Sequence, residues 1–267
     1  MRILFLGDVV GSSGCSKLVK NLPSQKKQRD IDFVIVNGEN ADESGVGLTQ
    51  KICEKFFSSG VDVITSGNHI WDQKDIMQFI ENEKRILRPK NFFEPSPGKG
   101  FEIFTTVNNF KIGVLNLIGN VFMKKSNDVF EAANQFINKF KLKKDFDFLV
   151  VDFHGEITSE KNAIGHFFDG KASLVVGTHT HIPTNDARIL QNGTAYQTDA
   201  GMCGDYDSVI GMNKNNSLNR FTKKDSVKHF PANGDSTLCG VVVECNTETG
   251  LANKVESYIF GEQLKNS

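Results

Sequence analysis

Five apolar runs in the sequence each end in residues able to bind metals or move protons. Asp8 follows Ile3 to Leu6, Glu39 and Asn40 follow Phe33 to Val36, and Asn68 with His69 follows Val61 to Ile64; His154 follows Phe148 to Phe153, and His179 with His181 follows Leu174 to Val176. Each run has the length and β-branched content of a buried strand. Sites in open α/β sheets assemble at the carboxyl ends of strands, where side chains project from a rigid edge into a crevice. Carboxylate, amide and imidazole together suit borderline divalent metals such as manganese, iron and zinc. Gathered in one place, these residues would overfill a single tetrahedral site, whereas two metals about 3.5–4 Å apart, sharing one carboxylate, would use them all. Such a pair lowers the pKa of a bound water and neutralises charge that builds on a phosphoryl oxygen.

The elements that must position these residues follow from pattern. Helical patterns separate the first strands: one around Lys17 to Leu22, stopped by Pro23, and one from Lys51 to Ser59, with Thr49 as its cap and Gly60 as its stop. A strand–helix–strand series of this kind implies a parallel sheet. Further on, Phe101 to Val107 and Phe110 to Leu117 alternate around Asn108-Asn109, a hairpin that opens a second sheet. A helix is expected over Asp128 to Phe140, with Phe130, Ala133, Ile137 and Phe140 on one face. Ala187 to Leu190 and Ala195 to Thr198 flank the Asn192-Gly193 pair that hairpin turns favour, and Gly240 to Cys245 and Val255 to Phe260 add two strands. With six dispersed prolines, no low-complexity linker and no internal repeat, a single domain over 1–267 is expected.

At the strand ends the residues resemble the calcineurin-like metallophosphoesterases, most closely their YmdB-like branch of bacterial phosphodiesterases. The family pattern of D-x-H, GD, GNH with an acid, a lone His and G-H-x-H runs here, in order, as Gly7-Asp8-Val9-Val10, Asn37-Gly38-Glu39-Asn40, Gly67-Asn68-His69-Ile70-Trp71-Asp72, His154-Gly155-Glu156 and Gly177-Thr178-His179-Thr180-His181. Val10 stands where the broad family has a metal-binding His, and Glu39 where it has Asp; in the YmdB-like branch both changes are the rule, with Asn40 placed to make up the lost ligand. The resemblance implies a four-layer α/β/β/α sandwich with two mixed sheets flanked by helices. It implies one metal held by Asp8, Glu39, Asn40 and His181 and a second by Glu39, Asn68, His154 and His179, with iron or manganese ahead of zinc. It also implies hydrolysis of small phosphodiesters, 2′,3′- or 3′,5′-cyclic nucleotides among them, by metal-activated hydroxide with His69 as general acid.

Plainer readings stand beside these. Asp8 alone could be a turn or cap residue, and Asn40 could be turn chemistry. His179 and His181 can serve two metals only where the chain leaves the strand. Asp72 reads first as the N-cap of a helix beginning there, with a bond to His69 as the alternative. Trp71 and Phe136 to Phe140 read as packing, and His166 and His229 as ordinary surface or core-edge histidines. The stretch from Thr198 to Gly211 serves equally as a loop closing over substrate or as plain turn.

Composition narrows the classes further. The 31 Lys+Arg against 32 Asp+Glu give a net charge of -1, which argues against stable nucleic-acid binding through a bulk positive field. No run approaches the roughly 18 apolar residues of a membrane span, and the opening MRILFLGDVVG does not lead to a signal-peptide cleavage site, so a cytoplasmic protein is expected. Five cysteines without a CxxC pair read as reduced thiols. The alternatives within this reading are a phosphomonoesterase or nucleotidase on the same centre, and a low-turnover scaffold that senses a nucleotide or serves RNA processing. The resemblance also makes a homo-oligomer an expectation.

Overall fold

The computed structural model describes residues 1–222 and 228–264. Its strands are β1 (Arg2–Leu6), β2 (Asp8–Val9), β3 (Phe33–Asn37), β4 (Val63–Thr65), β5 (Phe101–Thr105), β6 (Lys111–Ile118), β7 (Phe148–His154), β8 (Leu174–Thr178), β9 (Arg188–Ile189), β10 (Ala195–Gln197), β11 (Met202–Asp205), β12 (Ser236–Cys245) and β13 (Ala252–Phe260). The helices are α1 (Gly11–Gln28), α2 (Gln50–Ser58), α3 (Ile76–Asn82), α4 (Val129–Lys139), α5 (Thr158–Phe167) and α6 (Lys214–Phe221).

Period-two alternation of apolar side chains builds the layers. Along β1, Leu4 and Leu6 face a core shared with Leu18 and Leu22 of α1 and Cys53 and Phe56 of α2. Ile3 and Phe5 point the other way, into a core shared with Ile112, Val114, Phe148, Val150, Leu174 and Val176 of the second sheet. That sheet's outer face, with Leu117, Val151 and Phe153, packs on Ala133 and Phe136 of α4 and Ile164 of α5. Three apolar cores therefore separate four layers, helices outside and two sheets inside. Both sheets are mixed. The first runs β2-β11-β12-β1-β3-β4 with β13 beside β12, and the second runs β5-β6-β7-β8-β10-β9. β1, β3 and β4 pair in parallel, as do β6, β7, β8 and β10, so their carboxyl ends share one edge within each sheet.

The helix expected to stop at Pro23 continues to Gln28, with Pro23 inside it. A proline there loses one helical hydrogen bond and crowds the preceding turn, at a cost of about 3 kcal/mol. Tertiary packing offsets this: Leu18 and Leu22 are fully covered by the sheet, and Gln25 Oε1 accepts from Tyr258 Oη at 3.1 Å beyond the proline. Other boundaries follow their chemistry. Thr49 accepts from the Ile52 amide at the start of α2, and Asp128 accepts from the Glu131 amide at 2.8 Å at the start of α4.

Candidate metal centre

The strand-end residues converge where the carboxyl ends of the two sheets meet. Glu39 and Asn40 lie in the turn after β3, Asn68 and His69 in the turn after β4, His154 at the end of β7, and His179 and His181 just past β8. Asp8 sits in the short β2, fully buried. Glu39, His154 and His179 form a metal-binding cluster, offering one ligand atom each, all within 4.8 Å of one another. Asn68 joins them, its Oδ1 at 3.1 Å from His154 Nε2, which is itself 3.0 Å from Glu39 Oε1. Gly67 must be glycine here, because a Cβ would collide with the His154 ring and with Glu39 Oε2.

Asp8 lies on the other side of the cluster. Its Oδ2 accepts from the His179 amide at 3.1 Å, while Oδ1 is 3.8 Å from His154 Nδ1 and 4.0 Å from His181 Nε2. Asp8 Oδ1 and Asn40 Oδ1 are both buried without a hydrogen-bond partner. Orphaned buried acceptors are costly, and a cation is the partner that would satisfy them. Asn40 is aligned by its amide nitrogen, which donates to Gly45 O at 2.8 Å. The donor set of carboxylate and amide oxygens with imidazole nitrogens therefore fits divalent transition metals.

The two histidines past β8 face different sides of the cluster. Positions two apart share a face of a regular strand, but His179 (φ 99°) and His181 (φ 67°) both occupy left-handed backbone. Such conformations cost on the order of 1–3 kcal/mol each and persist only where the surroundings enforce them. His179 turns to His154, ring against ring at 4.7 Å, and its Nε2 lies 3.1 Å from Glu156. His181 turns to Asp8, with Nδ1 2.8 Å from the Ile210 carbonyl, which fixes that nitrogen as the protonated one and leaves Nε2 facing inward.

Burial sets the electrostatics. Burial and then the charge of His154 push His179 down to about 3, keeping it a neutral imidazole suited to a metal. For His154 burial acts downward, but Glu39, Asp8 and Asp152 outweigh it and raise it to about 9. Glu39, opposed by burial but paired to His154 and bonded by the His69 amide, falls to about 2, while burial raises Asp8. Behind His154, Nδ1 meets Thr178 Oγ1 at 2.9 Å, and that hydroxyl donates to Asp152 Oδ1 at 2.8 Å. Burial lifts Asp152 to about 7.

His69 lies at the rim, its side chain 29% exposed, with Nδ1 2.6 Å from Asp72 Oδ2. Asp72 caps no helix, since α3 begins only at Ile76 and the intervening residues turn. The expected capping role gives way to the bond with His69. Part of the 198–211 stretch is regular strand, not loop. Met202 to Asp205 form β11 inside the first sheet, and Tyr206 Oη accepts from the Met202 amide and donates to the His181 carbonyl. Thr178, Asp152, Glu156, Asp199 and the Ile210 carbonyl all contact residues of the centre, and the sequence reading gave none of them a role there. Trp71 packs against the first core as expected, while His166 is exposed and His229 half-buried at the surface.

Fold and cluster together define a calcineurin-like metallophosphoesterase. The chain belongs to the YmdB-like protein family, whose model matches residues 4–258. It is 44% identical, over 98% of its own length and 98% of the relative's, to the 2′,3′-cyclic-nucleotide 2′-phosphodiesterase of Bacillus subtilis (strain 168). A solved structure of a novel phosphatase from Mycoplasma pneumoniae superposes with a TM-score of 0.90 at 37% identity, covering 98% of this chain and 93% of that one. A hypothetical protein from Thermus thermophilus superposes with a TM-score of 0.89 at 36% identity, covering 98% of this chain and 100% of that one.

Proposed function

We propose that this chain is a metal-dependent phosphodiesterase that hydrolyses small phosphodiesters, cyclic nucleotides (2′,3′- or 3′,5′-) among them, at a dinuclear centre with His69 as general acid. The observation that carries this reading is the pair of buried, unpartnered acceptors, Asp8 Oδ1 and Asn40 Oδ1, beside the Glu39–His154–His179 cluster. One metal would be held by Asp8, Glu39, Asn40 and His181, the other by Glu39, Asn68, His154 and His179; iron and manganese suit these ligands first, and zinc also fits. When bound, the metals supply a water of lowered pKa and neutralise charge on the phosphoryl oxygens. His69 hands a proton to the leaving ribose oxygen. Asp72, 2.6 Å from Nδ1, orients the ring and leaves Nε2 to face the leaving oxygen. Lys124 donates to the Asn68 carbonyl at 2.8 Å, steadying the turn that carries both Asn68 and His69.

The same reading treats the chain as one domain, since C-terminal β12 pairs with N-terminal β1 and completes its sheet. It places the protein in the cytoplasm, which the free Cys15, Cys53, Cys203, Cys239 and Cys245 support. Among the described residues no helix is long and apolar enough to cross a membrane.

The test is elemental analysis of protein purified without chelator, with turnover of bis-p-nitrophenyl phosphate and 2′,3′-cyclic AMP measured on the same sample. About two transition metals per chain, with turnover lost in Asn68→Ala, is the expected result. An intact metal pair that turns over no ester would overturn it in favour of a nucleotide-sensing scaffold. Because the Mycoplasma pneumoniae neighbour is described as a phosphatase, p-nitrophenyl phosphate belongs in the same assay: preference for the monoester would make the centre a phosphomonoesterase. His69→Ala sharpens the acid assignment. Turnover of 2′,3′-cyclic AMP should fall about 10²–10⁴-fold, whereas bis-p-nitrophenyl phosphate, whose nitrophenolate leaves unprotonated, should lose far less. Equal losses on both would remove the acid role.

A further inference from the structure

Lys161 of α5 and Asp199, in the segment between β10 and β11, lie 2.6 Å apart with side chains only 2% and 1% exposed. Two charges taken this far out of water are not repaid by mutual attraction unless further hydrogen bonds complete them, and a well-packed apolar pair would hold the fold as well. Here those further bonds converge on one turn. Asp199 Oδ2 accepts from the Thr180 amide at 3.1 Å and from Thr180 Oγ1 at 2.7 Å, while Oδ1 accepts from the Gly201 amide at 2.8 Å. Thr180 is the residue between His179 and His181, and both neighbours sit in left-handed backbone that L-residues seldom adopt. The chemistry proposed above uses neither charge. The carboxylate instead grips the residue on which the divergence of the two imidazoles turns.

We propose that Asp199, backed by Lys161, is a positioning residue for the metal centre: by holding Thr180 it keeps His179 and His181 on different sides of the cluster and so sets metal affinity without touching metal or substrate. This rests on the functional reading above, in which both histidines are ligands. The carboxylate is needed because it accepts on both oxygens. Asp199→Asn would turn its amide hydrogens either on the Thr180 amide or on the Gly201 amide, donor against donor. Groups that orient ligands in this way are worth about 10–100-fold in metal affinity.

Two variants separate positioning from bulk stability: Thr180→Val, which removes the hydroxyl bond and leaves the ion pair, and Lys161→Met/Asp199→Asn, which replaces the pair by neutral groups of similar size. Manganese uptake would be measured by competition with a chromophoric chelator, and thermal unfolding followed on the metal-free protein. Thr180→Val should lose about 10-fold in manganese affinity while its metal-free melting point falls by only a few degrees. The double variant, whose Asn sets donor against donor, should melt below wild type and lose about 10–100-fold in manganese affinity. Wild-type manganese affinity in Thr180→Val overturns the proposal whether or not the double variant folds, and wild-type affinity in a folded double variant does the same. A wild-type protein that takes up neither manganese, iron(II) nor zinc in the same assay instead removes the functional reading itself, and this inference with it.

Discussion

Around His154 the polar groups of the centre have protein partners, whereas around Asp8 two acceptors have none. His154 Nε2 meets Glu39 Oε1 and Asn68 Oδ1, Nδ1 meets Thr178, and Glu39 Oε2 accepts from the His69 amide. On the other side Asp8 Oδ1 and Asn40 Oδ1 are buried and bare. In the metal-free chain the proton on His154 occupies the place of a cation and neutralises Glu39, so that half is assembled in advance. The Asp8 half carries the cost of a buried carboxylate until a cation arrives. In the two-metal reading proposed above, one half is preassembled, so that a metal would displace a proton there, and the other is destabilised until a metal relieves it.

The sharpest way to break this comparison is to neutralise one carboxylate on each side. Glu39→Gln should cost about 10³-fold in turnover, because Glu39 is the residue shared by both proposed metal positions. In metal-free protein it should also cost about 3 kcal/mol in urea unfolding, since it leaves His154 without its buried partner. Asp8→Asn should likewise abolish most turnover yet act oppositely on the metal-free fold. Removing a carboxylate whose pKa burial has raised should raise the metal-free melting temperature. Stability changes of the same sign in the two variants would erase the distinction between the halves.

How much of this was legible beforehand depended on whether the signal was local. The strands and the candidate ligands at their ends are written in contiguous apolar runs that stop at a carboxylate, amide or imidazole, and β1, β3, β7 and β8 fall where those runs lie. The alternation within β1 even sorts Leu4 and Leu6 from Ile3 and Phe5 into different cores. Pro23 misled because its local cost is real, but it is outweighed by packing with partners as distant as Tyr258. Asp72 misled for a similar reason: the cap pattern is local, and the bond to His69 forms only because the chain turns before α3. The supports were invisible for different reasons. Asp152 lies inside an apolar strand and reads as an exception to it. Lys161 and Asp199 are 38 residues apart. Ile210 acts through its carbonyl, which carries no side-chain signature at all.

The smallest expected signal is a slope in pH. In the metal-free chain His154 is raised from 6.5 to about 9, so the folded state holds its proton more tightly than the unfolded state does. Its contribution to stability is complete below pH 6.5 and is lost as pH rises through about 9. Asp152, raised by burial to about 7, acts in the same sense as pH climbs from 3.8. The opposing groups finish lower: His179, depressed to about 3, stops penalising the fold above pH 6.5, and Glu39, lowered to about 2, matters only below pH 4.5. Between pH 6.5 and 9 metal-free stability should therefore decline. In manganese-saturated protein His154 no longer carries that proton, so the decline should flatten while manganese uptake strengthens with pH as it displaces the proton. Urea unfolding of both forms across this window reads the difference directly. A metal-free chain with no slope there would mean that the His154 half is not held by its proton, and that the two halves await their metals alike.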